Sequence, residues 1–227
     1  MKPKILEKDV LSVLQANYGL TGNLQRLSGE NINYKLTTPE GCRYVAKIVD
    51  QHMPSGVVDM EFELLDHVEK SAFPLKLPRI IKNKNKKYET RIKILIKGLY
   101  RLRLIEFIDG INWEETKDIS DDMRVEMGVL LAEFDQALSD FDHPAAHRDH
   151  LWNLATAGQH MDKLALIEDP EHKHRVHWAF ELWQQASEAL PELPQQVIHG
   201  DANRGNLLVE DGLIVGLVDF GDCCHNP

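Results

Sequence analysis

The chain is 227 residues long, 43% hydrophobic and carries a formal net charge of −10. That length holds one large domain or two lobes with separate cores, and the apolar share excludes a disordered chain. The acidic balance argues against a partner gripped through its phosphate backbone, so neither DNA nor RNA is expected, although an acidic protein can still hold a locally positive pocket.

In chain order, Val10, Leu11 and Leu14 have helical spacing in a stretch reaching Asn17, and Gly19 is placed to end that helix. Two β-like runs follow, 32–37 and 43–49, with Pro39-Glu40-Gly41 as the turn between them. Residues 56–70 read as a helix stopped before Pro74, and 91–96 and 101–108 as a further pair of strands. The lysine cluster at 82–87 reads as a solvated loop. After a joint at Asp109-Gly110 the pattern turns helical. Residues 121–141 carry an apolar face through Met127, Leu130, Leu131, Phe134 and Leu138, and 149–166 and 171–190 are further helical stretches. Short strands return at 196–198, 207–209 and 213–218. Strands with one helix thus precede helices with a few strands. The expectation is an α+β protein with a sheet-rich first lobe, 1–108, and a helical second lobe, 109–227.

Three cysteines, Cys42 and the adjacent Cys223 and Cys224, offer an odd count and no C-x-x-C spacing, which fits a reducing cytoplasm better than a disulfide framework. The charged N-terminus lacks the apolar region of a signal peptide. No apolar run approaches the ~20 residues of a membrane span.

The strongest chemical signal is His199-Gly200-Asp201-Ala202-Asn203-Arg204-Gly205-Asn206 between two apolar β-like runs. It holds Asp201 and Asn206 on one short loop. Phosphoryl transfer uses such a pair, the carboxylate to accept the proton of an attacking hydroxyl and the amide oxygen to hold a metal ion. A plain polar turn is the competing reading. One hairpin later stands Asp219-Phe220-Gly221-Asp222, with Asp219 at a strand end where it can reach Mg²⁺ on nucleotide phosphates. That order matches the catalytic-loop and D-F-G order of protein kinases. In Tyr44-Val45-Ala46-Lys47-Ile48 a lysine interrupts a β run, placing Lys47 as a phosphate-binding group. Glu61 shares a helix face with Leu64, Leu65 and Val68, so it is expected to turn inward and pair with Lys47, while Glu63 stays on the polar face; Glu61 at the edge of the apolar stripe, facing water, is the alternative. The loop 27–34 has a single glycine, and Ser28 with the backbone near Gly29 can approach phosphate oxygens; an ordinary hairpin turn is the alternative. His143, His147 and His150 are too loosely spaced for a metal cluster and read as solvated or internally paired.

These residues together resemble the aminoglycoside phosphotransferase and choline kinase superfamily, which shows H-G-D-x-x-x-x-N followed by D-F-G or a close variant. The chain looks most similar to the branch containing hydroxylysine kinase and the phosphotransferase domains joined to class III aminotransferases. The Asp219–Asp222 ending, residues 141–148 (FDHPAAHR) with 151–154 (LWNL), and the 27–34 loop carry that similarity. The resemblance covers 27–227. It implies a protein-kinase-like bilobal fold and transfer of the γ-phosphoryl of ATP or GTP to a hydroxyl of a small, usually amine-bearing molecule, such as an amino alcohol, hydroxylysine or an aminoglycoside. It assigns Asp201 as base, Asn206 and Asp219 as Mg²⁺ ligands, Lys47 and Glu61 as the phosphate-binding pair, and Glu106-Phe107 as the hinge for the base. Family members continue past D-F-G into further helices, so the C-lobe is expected to be truncated at Pro227 and the chain alone to be inactive and prone to associate. A non-catalytic nucleotide-binding or interaction module descended from such a kinase is the other reading.

Overall fold

The computed structural model describes residues 5–27, 32–50, 54–94, 98–116, 120–149 and 153–227. Its first half is built on an antiparallel sheet of β1 (Asn23–Leu27), β2 (Ile32–Thr37), β3 (Arg43–Asp50), β4 (Ile80–Ile81), β5 (Thr90–Ile94) and β6 (Gly98–Glu106), ordered β1-β2-β3-β6-β4, with β5 also paired to β6. Alternation decides the two faces. Tyr34, Leu36, Ala46, Ile48, Leu102 and Leu104 point to a core closed by α1 (Glu7–Tyr18), whose Val10 and Leu14 are fully buried. Gly19 ends α1 in the left-handed conformation, with its N–H on Gln15 O. The opposite face carries Val45, Lys47, Arg103 and Ile105, set side by side by the pairs Val45↔Ile105 and Lys47↔Arg103.

Helix α2 (Ser55–Glu69) joins this half to the next. Met60, Leu64, Leu65 and Val68 pack in one core with Met123, Leu130, Phe134 and Leu138 and with residues of the later strands. Of these, Met123, Leu130 and Phe134 belong to α3 (Asp121–Ala137), capped by the Ser120 hydroxyl, which accepts from Met123 N–H. β7 (Ile111–Asn112), β9 (Leu207–Glu210) and β10 (Leu213–Leu217) form a small sheet, and β8 (Gln196–Ile198) pairs with β11 (Cys224–Asn226). A kinked 3-10 run, Leu154–Leu166, and α4 (Pro170–Ser187) pack on each other. The fold is α+β, with a sheet-rich N-terminal part and a helical part in a kinase-like arrangement.

Several expected boundaries move. The helix expected over 121–141 ends at Ala137, and 138–141 continue in turns. The strand expected over 101–108 runs from Gly98 to Glu106. The helix expected over 149–166 is 3-10 rather than α, with Asn153 as its cap. The short strands β4, β7 and β11 have too few residues for a period to register; tertiary pairing creates them. Among the described residues, no helix is long and apolar enough to cross a membrane.

Candidate active site

The loop between β8 and β9 is shaped by its own side chains. Asn203 Oδ1 accepts from Gly205 N–H at 2.7 Å, an Asx turn that reverses the chain. Asn203 Nδ2 donates to Asp201 Oδ1 at 2.7 Å, and Asn206 Nδ2 donates to Asp201 Oδ2 at 2.9 Å. Both carboxylate oxygens are thereby aimed, and an ionised carboxylate still has lone pairs for a further donor. Asn206 spends its nitrogen on Asp201, which leaves the amide oxygen as its accepting end. The loop is anchored from outside by Asn112, whose Nδ2 donates to Gly205 O at 2.7 Å.

His199 is the floor of this loop. It is 2% exposed, its Nδ1 accepts from Asp201 N–H at 3.3 Å, and its Nε2 lies 3.2 Å from Val218 O. Those contacts require the neutral ring with the proton on Nε2. Burial lowers the His199 pKa, and the Val218 carbonyl and nearby carboxylates only partly offset it. Its ring packs against Phe220, which packs on Phe134 of α3. The turn needs a glycine after His199: Gly200 has φ +75°, and a Cβ there would stand 2.4 Å from Asp222 O.

Asp219 follows β10 and is tied to the loop by Val218 N–H donating to Asn206 O at 3.0 Å. Its backbone is left-handed, φ 65° and ψ 67°, a sparsely populated region for a residue with a side chain. Lys47 Nζ lies 2.5 Å from Asp219 Oδ1, with the lysine side chain 7% exposed and the aspartate 46%. The carboxylate has protein on most sides yet keeps a path to water. Burial raises its pKa, but the Lys47 ammonium, by charge and hydrogen bond, and Arg103 outweigh burial and hold it below the usual value.

Glu61 is 2% exposed on the α2 face that carries Leu64, Leu65 and Val68, and Glu63 is exposed. The expected Lys47–Glu61 pair is not what meets there. Among the described residues, the cation within ion-pair distance of Glu61 is Arg103, at 2.5 Å from Nη1 to Oε2. The cause is the β3–β6 register, which sets Arg103 directly opposite Lys47. The approach lies off the N–H direction, so Glu61 Oε2 and Arg103 Nη1 and Nε have no well-directed hydrogen bond. We read it as an ion pair by distance, not as a hydrogen bond.

At the end of β6, Glu106 N–H donates to Arg79 O at 2.8 Å and Phe107 N–H to Arg43 O at 3.2 Å. Lys35 Nζ sits 4.1 Å above the Phe107 ring, and Arg43 forms a two-pronged pair with Asp109. The backbone N–H groups of Glu106 and Phe107, the residues expected to form the hinge, are thus both bonded to protein. A cavity of about 840 Å³ adjoins this strap, lined by α2, residues 73–80 and 106–109. Lys47, Asp201, Asn206 and Asp219 lie outside this cavity. Ser28 and Gly29 lie outside the described residues, as does His150. His147 bonds Asp142 at 2.7 Å and stacks on His225. Among the described residues, no group of three or more His, Cys, Asp or Glu is arranged to hold a metal.

Arg103, Asn203 and Arg148 are not among the site residues expected from the sequence. Arg148 donates to Gly221 O at 2.6 Å and to Ala145 O at 3.0 Å, steadying the segment after Asp219. Only Asn203 had a usable signal, an Asn two residues before a Gly inside the loop.

A family model described as phosphotransferase enzyme family matches residues 23–227. Hydroxylysine kinase of Mus musculus is 23% identical over 253 residues, covering 99% of this chain and 66% of that protein. Among solved structures, the amicoumacin kinase hAmiN in complex with AMP-PNP, Ca²⁺ and Ami superposes with a TM-score of 0.71 at 17% identity, covering 98% of this chain and 66% of its own. A microcompartment-associated aminopropanol kinase gives 0.75 at 16% identity, covering 96% and 70%. The spectinomycin phosphotransferase APH(9)-Ia, in complex with ADP and spectinomycin, gives 0.63 at 13% identity, covering 99% and 71%. At such identities the structures speak for the fold. The chain therefore spans about two thirds of the length of these relatives.

Proposed function

Since this chain belongs to the phosphotransferase enzyme family, we propose that it carries the nucleotide, metal and proton-transfer groups of a small-molecule kinase. The reaction moves the γ-phosphoryl of ATP or GTP to a hydroxyl of a small amine-bearing acceptor, an amino alcohol, a hydroxy-amino acid such as hydroxylysine, or an aminoglycoside. The observation that carries this reading is the joint placement of Asp201, Asn206, Asp219 and Lys47 around one cleft.

Asn206 and Asp219 offer an amide oxygen and a carboxylate, a donor set that suits a hard divalent cation. Bound there, Mg²⁺ would supply neutralisation of phosphate charge. Lys47 binds the nucleotide phosphates, which requires it to leave Asp219. Asp201, held by Asn203 and Asn206, accepts the proton of the acceptor hydroxyl. The hydroxyl oxygen forms a bond to the γ-phosphorus, the bond to the bridging oxygen breaks, and the nucleoside diphosphate leaves with that electron pair. Glu106 and Phe107 border the base, which meets the Phe107 ring and carbonyl oxygens rather than the two committed N–H groups. Ser28 and Gly29 would cover the phosphates. The free thiols Cys42, Cys223 and Cys224 suit a reducing compartment. Longer relatives would join such a unit to a class III aminotransferase domain.

The test is calorimetric titration of this chain with AMP-PNP, with and without Mg²⁺, beside Asp219→Ala. Mg²⁺-dependent binding in the wild type and its loss in the variant, with melting unchanged, is the expected result. Equal Mg²⁺-dependent affinity in both would overturn the assignment. A panel of amino alcohols and hydroxy-amino acids with either nucleotide, run on the longest reading frame, identifies the acceptor.

A further inference from the structure

The stretch 142–148 takes no part in the chemistry above, yet it bridges α2 and the segment after Asp219. Its middle is a 3-10 turn, Pro144–Ala146, fastened by the His143 ring, whose Nδ1 accepts from Ala145 N–H at 3.0 Å. On one side this turn packs on α2, so closely that a Cβ at Gly56 would stand 3.3 Å from Ala145 Cβ. On the other side the stretch holds residues 221–225 at two points. Arg148 Nη2 donates to Gly221 O at 2.6 Å, and the His147 ring stacks on His225 of β11 with 4.4 Å between centroids. Arg148 also reaches back. Its Nη1 donates to Ala145 O at 3.0 Å and lies 4.0 Å from Sδ of Met60, the residue before Glu61 on α2. One half-buried guanidinium thus joins α2, the 3-10 turn and the chain just past Asp219.

The segment it holds has little local support. Asp219 sits at φ 65° and ψ 67°, a conformation that persists where the surroundings impose it. Phe220–Asp222 is a single 3-10 turn, closed by Cys223 N–H on Phe220 O at 3.3 Å. The bond from Arg148 is shorter and carries a charged donor, so it is the stronger of the two. Resting on the metal- and nucleotide-binding reading above, we infer that Arg148 is a positioning residue for the metal site. By tying Gly221 O to the layer that also seats α2, it fixes the backbone from which the Asp219 carboxylate reaches the cleft. It touches neither metal nor nucleotide and acts through two peptide units. Without it, Asp219 is free to relax from its left-handed conformation, and the carboxylate and the Asn206 amide oxygen are no longer held ready together. The cost falls on metal affinity, because the metal must then order the turn that Arg148 orders in advance.

The experiment measures, by calorimetry at fixed AMP-PNP, the Mg²⁺ concentration that half-saturates the wild type, Arg148→Met, Arg148→Lys and Leu130→Ala, with a melting curve for each. Leu130→Ala is a core substitution on α3 that alters neither Arg148 nor 219–223. Arg148→Met is expected to need about tenfold more Mg²⁺, the lower range for losing a group that orients a metal ligand. Arg148→Lys keeps the charge but lacks the fork that spans two carbonyls, and is expected to need about threefold more. Leu130→Ala is expected to melt earlier and to need no more Mg²⁺ than wild type. Hydrogen exchange of the protein without metal or nucleotide should quicken at 220–223 in the Arg148 variants and not in Leu130→Ala. Should Arg148→Met not fold, Arg148→Lys decides on the same two readouts. The inference is overturned if a folded Arg148 variant matches wild type in Mg²⁺ requirement or in exchange at 220–223. It is equally overturned if Leu130→Ala raises the Mg²⁺ requirement as much as the folded Arg148 variant does. A wild type that shows no Mg²⁺-dependent nucleotide binding sinks the kinase reading itself, whereas a binding wild type matched by its Arg148 variants sinks only the role of Arg148.

Discussion

The cleft and the α4 hairpin invert each other's chemistry. In the cleft, Lys47, Glu61, Arg103 and His199 are buried polar groups. In the hairpin of the 3-10 run and α4, no residue is buried, and Leu154, Leu166 and Trp178 are 69%, 79% and 56% exposed. Helix α2 shows what separates them. Its Met60, Leu64, Leu65 and Val68 lie on one stripe, and a second layer covers that stripe. In α4 the apolar residues divide. Trp183 turns toward the 3-10 run, where its Nε1 donates to Leu154 O at 2.7 Å and its ring lies against Gly158, and Phe180 is half-buried. Trp178 and Leu182, one turn apart, face the other way. Burial follows from what packs against a face, not from the face alone.

The contrast can be broken at its strongest point first. Phe134 supports both Phe220 and His199, so Phe134→Ala is expected to cost about 3–5 kcal/mol, the usual range for a buried phenylalanine. Urea unfolding monitored by circular dichroism measures it. A cost below about 1 kcal/mol would mean the aromatic stack under the loop contributes little.

Next in size is Asp201→Asn. In the longest reading frame with its acceptor, kcat is expected to fall at least ~100-fold, with nucleotide affinity little changed. Near-normal turnover would remove Asp201 from proton transfer.

A smaller effect should appear with pH. The folded His199 pKa lies below the ordinary 6.5 because burial penalises the imidazolium. Below that ordinary value the unfolded chain takes a proton that the folded chain refuses. Stability is therefore full above about pH 6.5 and declines as pH falls through it. Urea midpoints measured between pH 7.5 and 5.5 should fall less steeply in His199→Gln than in the wild type. Parallel slopes would show that His199 accepts its proton in the fold.

The smallest effect belongs to the hairpin. Trp178→Gln and Leu166→Gln should each shift the stability of this chain by no more than about 0.5 kcal/mol, the ordinary surface range. A loss near that of Phe134→Ala would mean these side chains are covered in solution, which light scattering would register as association.

The sequence by itself determined the local chemistry. Asp201, Asn203 and Asn206 lie within one loop, so their short-range hydrogen bonds depend on neighbours along the chain, and the Asp219 turn is as local. The inward face of Glu61 was legible for the same reason, because helical register is a short-range property. Tertiary structure alone decided which cation Glu61 meets. Lys47 and Arg103 are far apart in the chain and become neighbours only when β3 pairs with β6. It also decided that Phe107 N–H is spent on Arg43 O, and that β11 lies beside β8, the strand that leads into the 199–206 loop. A pattern of residue types fixes which groups can act, whereas pairing of distant strands fixes which groups touch, since that choice is made by packing and register rather than by any local preference.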